Sequence, residues 1–442
     1  MFRVKPIGKF RVELLNAGLA ALYIFLAGCS TVQTGPAAQP APPPSIPPRQ
    51  VQAAAPQPPP PAEIVGQVSF AVTGDIMAHG EVKKAAAAAD GGWDSLYAPV
   101  VPLVKPADIA FGNLETPIAP DHDHGSRSFV FNAPPAMLDA LKRAGFDVVL
   151  FANNHVYDQD RDGFVESLSR IEASGLKEVG AGKDRASAQA PLRLEVNGLK
   201  LAWFGAAQFF NDPKNVDDPK QPYANLLDPK QLTEAIRAVR PDVDAVLVSL
   251  HWGVEYMEAP RQSEIDLAHQ LFEAGADVII GSHPHVLQPI EVYRAGDGRT
   301  CLCLYSLGNF ISNQSRKYLP HASSDKVGDT RDGAIARFTL QKRSYGAAGT
   351  AVNLADVSYA PLWTENNYFR PKGTEVDIHP AVIDTELANE AAELVALEKA
   401  AGPHPDKVHA KALIGLRQHM DLLQLRRGRI VQRLGEDFAP TP

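Results

Sequence analysis

The most informative stretch of the sequence is Asp277-Val278-Ile279-Ile280-Gly281-Ser282-His283-Pro284-His285. In it, an apolar run is followed closely by two histidines. A short apolar run bounded by glycine is typical of a buried β-strand. Four earlier runs share the pattern and end in Asp, Glu, Asn or His; they cover residues 67–73, 107–112, 146–152 and 243–250. The sequence therefore predicts strands that carry polar side chains at one common end.

Amphipathic segments separate these strands. The spacing of their apolar residues predicts helices over residues 134–144, 162–174, 228–239 and 263–274. Asn197-Gly198 predicts a hairpin turn between two further strands. Later strands are predicted within residues 287–359, and a helical segment from about 381 to 434 with a break at Gly402. The alternation of strands and helices predicts an α/β fold.

The polar side chains at the strand ends are candidate metal ligands. In open α/β sheets, ligands bind in the crevice outside the carboxyl ends of the strands. The residues brought there are Asp75, Glu115, Asn154, His251, His283 and His285. This mixture of imidazole, carboxylate and amide groups contains no thiolate, and it suits Mn, Fe or Zn. We therefore predict a divalent metal site of one or two ions.

Six motifs in order carry a resemblance to a known family. They are Gly74-Asp75-Ile76-Met77, Asn113-Leu114-Glu115, Ala152-Asn153-Asn154-His155, His251-Trp252-Gly253, Gly281-Ser282-His283-Pro284-His285-Val286 and Ser306-Leu307-Gly308-Asn309-Phe310. Across about residues 67–345 the chain resembles the CapA family of capsule and poly-γ-glutamate biosynthesis proteins. The family is related to the calcineurin-like metallophosphoesterases. The resemblance implies a four-layer α/β/β/α sandwich with a metal site at the strand ends.

The resemblance also implies roles for single residues. Asp75 corresponds to the first carboxylate, Glu115 to the bridging carboxylate and Asn154 to the amide ligand. His251, His283 and His285 correspond to the later ligands. His155 corresponds to a catalytic histidine that protonates the leaving oxygen, with Asp158 or Asp160 near enough in sequence to orient it.

One position departs from the superfamily pattern. The first motif normally has a histidine two residues after the aspartate, and this chain has Met77 there. A thioether does not replace an imidazole for a hard or borderline metal, and His79 is the nearest substitute. A single ion near Asn154, His251 and His283 is therefore expected in preference to a full two-metal centre.

The N-terminal region resembles a lipoprotein leader. Residues 1–11 are basic, residues 14–26 are mostly apolar, and Leu26-Ala27-Gly28 precede Cys29. A bacterial lipobox has this form, which implies a signal peptide over residues 1–28 and lipidation of Cys29. Twelve prolines between residues 36 and 61 predict a disordered tether over residues 29–63. We expect a protein of the cell envelope, lipid-anchored to a membrane, facing the periplasm or attached to the outer membrane.

The rest of the chain is expected to form a metallophosphatase-like domain over residues 64–372 and a mostly helical extension over residues 373–442. The 442-residue chain has a formal net charge of −8, and residues 64–442 keep 38 of its 43 basic but 49 of its 51 acidic residues. Because nucleic-acid binding needs a basic face, no nucleic-acid partner is expected. An anionic substrate would depend on local cations such as Arg127, Lys214, Arg316 and Lys317.

Two functions remain open from the sequence. In the first, the protein handles an anionic polymer in capsule or poly-γ-glutamate synthesis and export, with capsule-synthesis subunits as further partners and without required catalysis. In the second, it is a metal-dependent hydrolase of phosphoester or amide bonds, in which the metal activates a water and His155 acts as general acid. The polar loop over residues 310–332 either covers the cleft or is a surface insertion.

Overall fold

The computed structural model describes residues 63–125 and 129–439. The predicted signal peptide, Cys29 and the Pro-rich segment up to residue 62 lie outside the described residues, as does Arg127. Within the described residues, none of the helices combines the length and the apolar character needed to cross a bilayer.

The chain folds into short strands and helices that alternate over most of its length. The strands are β1 (Glu63–Ile76), β2 (Ile109–Leu114), β3 (Val148–Leu150), β4 (Lys177–Val179), β5 (Ala181–Gly182), β6 (Leu192–Val196), β7 (Leu199–Ala207), β8 (Tyr223–Ala224), β9 (Ala245–His251), β10 (Val278–Ser282), β11 (Ile290–Arg294), β12 (Thr300–Leu304), β13 (Asn309–Ile311), β14 (Asp332–Ser344), β15 (Thr350–Asn366) and β16 (Ile378–Val382). The helices are α1 (Gly80–Ala88), α2 (Trp93–Tyr97), α3 (Val101–Val104), α4 (Ala136–Ala144), α5 (Asp160–Ser174), α6 (Arg185–Gln189), α7 (Pro229–Val239), α8 (Gln262–Ala274), α9 (Ile383–Ala401) and α10 (Lys407–Leu434).

Two large sheets form the centre of the molecule. In the first, the strand order is β16-β15-β14-β1-β2-β3-β4, and the short β13 also pairs with β1. In the second, the order is β11-β12-β10-β9-β7-β6. Strands β1 to β4 are mutually parallel, and so are β7, β9, β10 and β12. Each sheet therefore gathers the carboxyl ends of its parallel strands along one edge.

The sheets pack face to face through aromatic side chains. Trp203 of the second sheet lies 5.1 Å from Phe111 and 6.2 Å from Phe70 of the first, measured between ring centroids. Helices α4 and α5 bury apolar side chains in the core shared with the first sheet. Helices α7 and α8 form a second core against the outer face of the other sheet. The predicted four-layer α/β/β/α sandwich is confirmed.

Local sequence signals explain several element boundaries. Asp228 caps α7, since its carboxylate accepts hydrogen bonds from the backbone N–H groups of Lys230 and Gln231, and Pro229 occupies the first helical position. Asn197, with φ 47°, and Gly198, with φ 81°, turn the hairpin between β6 and β7. The amphipathic helices and the hairpin therefore form close to their predicted positions.

The C-terminal region adds one strand and a helical hairpin. Strand β16 pairs with β15 at the edge of the first sheet. Helices α9 and α10 follow, and the break between them includes Gly402 as predicted. Leu423, Ile430 and Leu434 of α10 join the main core. The carboxyl half of α10 therefore packs on the body of the domain.

Candidate metal centre

Five strand ends converge where the parallel edges of the two sheets meet. Asp75 lies near the end of β1, Glu115 follows β2, and His251 ends β9. Asn154 follows β3, and His283 and His285 follow β10. All six of these predicted ligands are at most 2% exposed. The structure brings the predicted metal ligands into one cluster.

Two glycines allow the strand ends to approach this closely. A Cβ atom on Gly74 would lie 1.9 Å from the carbonyl oxygen of Gly308, and one on Gly281 would lie 2.0 Å from that of Tyr305. Both distances are far below van der Waals contact. The glycines that precede Asp75 and Ser282 are therefore required by the crossing of neighbouring chain segments.

The loop after β10 holds its two histidines in a strained backbone conformation. His283 has φ 99° and His285 has φ 59°. Residues other than glycine rarely adopt positive φ, at a cost of order 1–3 kcal/mol each, and such residues cluster at functional sites. This backbone conformation places both imidazoles in the same buried space, where their ring centroids lie 5.9 Å apart.

One half of the cluster is organised around His285. Its Nδ1 lies 2.9 Å from Oδ2 of Asp75 and 3.1 Å from Oδ1 of Asn309. A carboxylate oxygen and an amide oxygen both accept hydrogen bonds, so Nδ1 carries the ring proton. Nε2 therefore keeps a free lone pair. That Nε2 lies 3.7 Å from Oε1 of Glu115.

The other half is organised around His251. Its Nε2 lies 2.9 Å from Oδ1 of Asn154 and 3.8 Å from Oε1 of Glu115. Its Nδ1 lies 3.0 Å from the hydroxyl of Ser282. Metal-bound histidines usually hold the second ring nitrogen in such a hydrogen bond, which fixes the ring orientation. His283 completes this side, with its ring centroid 4.8 Å from that of His251.

Two atoms at the centre have no hydrogen-bond partner. They are Oε1 of Glu115 and Nδ1 of His283, both fully buried. Leaving a buried acceptor unsatisfied costs about 1–3 kcal/mol. Two overlapping groups of ligand atoms lie within 4.8 Å of one another: Glu115 with His283 and His285, and Asp75 with Glu115 and His251. The residues present therefore fit a divalent metal, and Glu115 belongs to both groups.

The electrostatics of the cluster also fit a cation. Burial and the neighbouring Asp75 carboxylate raise the pKa of Glu115 well above its usual value. Burial and the nearby His283 lower the pKa of His251 well below its usual value, and burial with His285 lowers that of His283 to about 4. His251 and His283 are thus held neutral, which is the form that binds metals, and a bound cation would favour the ionised form of Glu115.

His155 lies beside this cluster and is oriented by a carboxylate. Its Nδ1 is 2.8 Å from Oδ2 of Asp158, and the backbone N–H of Phe131 donates to the same oxygen over 2.6 Å. Asp160 instead lies 3.7 Å from the ammonium of Lys214. Of the two carboxylates that the sequence left open as partners of His155, the structure places Asp158 in contact with the ring.

Met77 is buried, and its possible substitute His79 is half-buried. Met77 is 2% exposed, and its backbone pairs with Ile311 next to the cluster. Nδ1 of His79 accepts a hydrogen bond of 3.3 Å from the N–H of Asn313, and its ring packs on Phe131. Burial and His285 lower the pKa of His79 to about 3. His79 lies close to the cluster but belongs to neither group of ligand atoms described above.

Three polar residues near the ligands were not assigned roles from the sequence. The amide of Asn113 donates to Oδ1 of Asp75 over 2.8 Å and to Oε2 of Glu115 over 3.1 Å. Asn309 and Ser282 contact His285 and His251 as described above. All three residues lie inside the quoted motifs, which could have indicated that they matter. Their contacts could not be predicted, because they depend on which strands are neighbours.

The comparisons with known proteins identify a family for this chain. Residues 69–314 match the family described as bacterial capsule synthesis protein PGA_cap. The chain is 30% identical over 303 residues to the PGA biosynthesis protein CapA of Bacillus subtilis (strain 168), which covers 67% of this chain and 74% of that protein. It is 31% identical over 256 residues to the capsule biosynthesis protein CapA of Bacillus anthracis, which covers 56% of this chain and 60% of that protein.

A weaker likeness exists to a solved structure, the NAD nucleotidase NadN of Haemophilus influenzae. It is 11% identical, has a TM-score of 0.40, and covers 80% of this chain and 61% of that chain. A likeness at this level carries no argument about function. The family match spans more than half of the chain and includes all six motifs in full, together with all six predicted ligands. The chain therefore belongs to the bacterial capsule synthesis protein family PGA_cap, which confirms its resemblance to the CapA proteins.

Proposed function

We propose that this protein acts in the synthesis or export of a capsule or poly-γ-glutamate polymer, with a divalent metal centre at the strand ends. The family and the names of its two Bacillus relatives support the polymer role. The single observation that carries the metal centre is the buried, unpartnered Oε1 of Glu115, which lies 3.7 and 3.8 Å from Nε2 of His285 and His251. We propose Mn, Fe or Zn as the ion because the ligands are nitrogen and oxygen atoms.

The proposed ligands divide between two positions that share Glu115. His283 and His285 form one group with it, and Asp75 and His251 form the other. Asn154 adjoins the second group through its contact with His251. One or two ions fit this arrangement. A bound ion would supply a Lewis acid and an activated water.

A second candidate function, hydrolysis of a phosphoester or amide bond, is favoured by the pair formed by His155 and Asp158. Asp158 accepts a hydrogen bond from Nδ1 of His155 over 2.8 Å and holds the ring in one orientation. Nε2 of His155 is then the atom that exchanges a proton with a substrate. Phe131, whose ring centroid lies 4.4 Å from that of His155, limits water access on one side.

We further propose that the protein is held in the cell envelope through a lipid on Cys29, facing the periplasm or attached to the outer membrane. The order of basic residues, apolar residues and Leu26-Ala27-Gly28-Cys29 supports this proposal. The Pro-rich segment that follows would hold the domain away from the membrane surface. Other capsule-synthesis subunits are the expected partners at that location.

The test is a polymer assay in the host cell with three variants of the full chain. His251→Ala removes a proposed ligand, His155→Ala removes the proposed proton donor, and Lys177→Ala is a control on the opposite edge of the sheet. Loss of surface polymer with His251→Ala but not with Lys177→Ala is the expected result. Wild-type polymer levels with His251→Ala would contradict the metal-dependent role. Loss with His155→Ala as well would favour hydrolysis, whereas retained polymer with His155→Ala would exclude it.

A further inference from the structure

A cavity of about 440 Å³ adjoins the metal centre. Its lining includes Tyr256 and Glu258 from the loop after β9, and Gln314, Ser315, Lys326 and Thr330 from the segment between β13 and β14. Since a water molecule occupies about 30 Å³ in the liquid, the cavity has room for a chain segment rather than a single small group. The polar loop predicted over residues 310–332 thus forms a wall beside the cleft.

Both walls of the cavity touch residues of the metal centre. The backbone N–H of Tyr256 donates to the carbonyl of Pro284 over 2.8 Å, and the ring centroid of Tyr256 lies 6.2 Å from that of His285. On the opposite wall, Oε1 of Gln314 accepts from Nδ2 of Asn309 over 3.0 Å, and Asn309 in turn contacts His285. A group bound in the cavity would therefore be continuous with one bound at the metal centre.

Each wall also carries a strained residue. Tyr256 has φ 64° and Ser315 has φ 50°. The hydroxyl of Ser315 is held 2.7 Å from that of Thr330, which fixes the loop wall. Strained residues persist where the surrounding structure imposes them, often at ligand-binding positions.

The lining of the cavity contains one cation, Lys326, and two carboxylates, Glu258 and Asp329, and residues 64–442 are acidic as a whole. The carboxylates that line the cavity already have arginine partners. Arg433 binds Glu258 over 2.7 Å, and Arg429 binds Asp329 over 2.7 Å.

Lys326 reaches the surface at the mouth of the cavity. Its side chain is 72% exposed, and its ammonium lies 2.9 Å from Glu258. Glu258 also binds Arg433, so its charge has a second cationic partner. Lys326 is therefore free to bind a second carboxylate at the mouth of the cavity.

We propose that this cavity is a subsite for a carboxylate-bearing segment of the polymer, with Lys326 as its principal cation and Tyr256 and Ser315 as its polar walls. This inference rests on the proposed polymer role. It adds that the protein recognises the carboxylates of several neighbouring polymer units, and not only the polymer group bound at the metal centre.

The test measures binding of two probes to the full chain loaded with Mn²⁺ by isothermal titration calorimetry. One probe is a γ-linked glutamate pentamer, and the other is the same pentamer with every carboxylate methyl-esterified. We expect Lys326→Glu to weaken binding of the charged pentamer about 10-fold or more, because it replaces attraction by repulsion. Lys326→Gln should give a smaller loss, and binding of the ester should be weak for every variant.

Lys177→Glu is the matched control. Lys177 begins the parallel strand β4 and therefore lies at the edge of the sheet opposite the metal centre, where the same charge reversal should leave pentamer binding unchanged. If Lys326→Glu and Lys177→Glu weaken pentamer binding equally, the effect comes from the net charge of the protein, and the subsite is wrong. Equal binding by wild type and Lys326→Glu, no binding of the pentamer by wild type, or equally tight binding of the ester would also overturn it. In any of those cases, the proposed function still stands if the wild type binds Mn²⁺ and His251→Ala loses surface polymer. Only the subsite is then wrong.

Discussion

Two buried clusters of charged groups in this protein differ in whether their carboxylates have cationic partners. In the cluster around Arg426, the fully buried guanidinium binds both Asp329, over 2.8 Å, and Asp332. In the metal centre, Asp75 and Glu115 are equally buried, yet no lysine or arginine in the described part of the chain forms an ion pair with either carboxylate. The first cluster is complete without a ligand, and the second is not.

The difference assigns a role to each cluster. A buried charge with all its partners present holds structural elements together, here α10 against the segment before β14. Buried carboxylates that face each other beside neutral histidines carry unfavourable free energy that a bound cation would remove. The arginine cluster should therefore govern stability, and the metal centre should govern ligand binding.

The largest expected effect is on the arginine cluster. Arg426→Ala leaves Asp332 and Asp329 buried without their shared cation, so the free energy of unfolding should fall by about 3–5 kcal/mol. Arg417→Ala, which breaks the exposed pair with Glu398, should cost less than about 1 kcal/mol. Chemical denaturation of both variants measures the two costs, and similar values would contradict the structural role of the buried cluster.

The metal centre should respond to its ligand instead. Addition of Mn²⁺ at about 100 times its dissociation constant should raise the free energy of unfolding of the wild type by about 2.7 kcal/mol. Glu115→Gln should lose most of this increase. Its metal-free form should be no less stable than the metal-free wild type, because the raised pKa of Glu115 costs folding free energy at neutral pH and glutamine does not ionise. Denaturation with and without Mn²⁺ tests both signs, and a destabilised metal-free variant would show that Glu115 is a structural residue.

A smaller change is expected from the residue that orients His251. Ser282→Ala removes the hydroxyl 3.0 Å from Nδ1 of the ring, and metal affinity should fall about 10- to 100-fold. Ser174→Ala is a suitable control, since that hydroxyl bonds only local backbone groups, the carbonyl of Ile171 and the N–H of Leu176. Calorimetric titration with Mn²⁺ distinguishes them; an unchanged affinity in Ser282→Ala would remove this serine from the site.

The smallest effect concerns the joint between α9, α10 and β15. The hydrogen bond that His419 donates to Glu365, together with Glu390, raises the pKa of His419 to about 9, above its unfolded value of 6.5. Its stabilising contribution is therefore complete below pH 6.5 and is lost as the pH rises through 9. Because the side chain is one-third exposed, we expect only about 1 kcal/mol.

The variant His419→Gln should remove this pH dependence. The difference in free energy of unfolding between wild type and variant should be present at pH 6.5 and vanish above pH 9. Glu393→Gln changes an exposed residue of α9 and serves as the control. A difference that grows with pH would contradict the charged state assigned to His419.

The sequence predicted the strand ends and their polar side chains because both depend on local pattern. An apolar run followed by Asp, Glu, Asn or His identifies a strand and its carboxyl end, and parallel strands then bring those ends together. Helix α1 and strands β4 and β16 were not predicted. Helix α1 is a short alanine-rich segment with little amphipathic pattern, and β4 has three residues.

The arginine cluster could not be predicted for a different reason. Arginine is almost never fully buried unless it is paired, and Asp332 lies 94 residues from Arg426 in the chain. The role of Asn113 also depends on a neighbouring strand, because its amide reaches Asp75 across 38 residues. Contacts of this kind follow from sheet order and register, which no local pattern contains.

The central claim, that the strand ends hold a divalent metal, is tested most directly by titrating Mn²⁺ and Zn²⁺ into the chelator-stripped full chain. Calorimetry should give one or two ions per chain for wild type, and His251→Ala should lose about 100-fold or more in affinity. Absence of binding by the wild-type chain, or equal binding by His251→Ala, would contradict the metal centre.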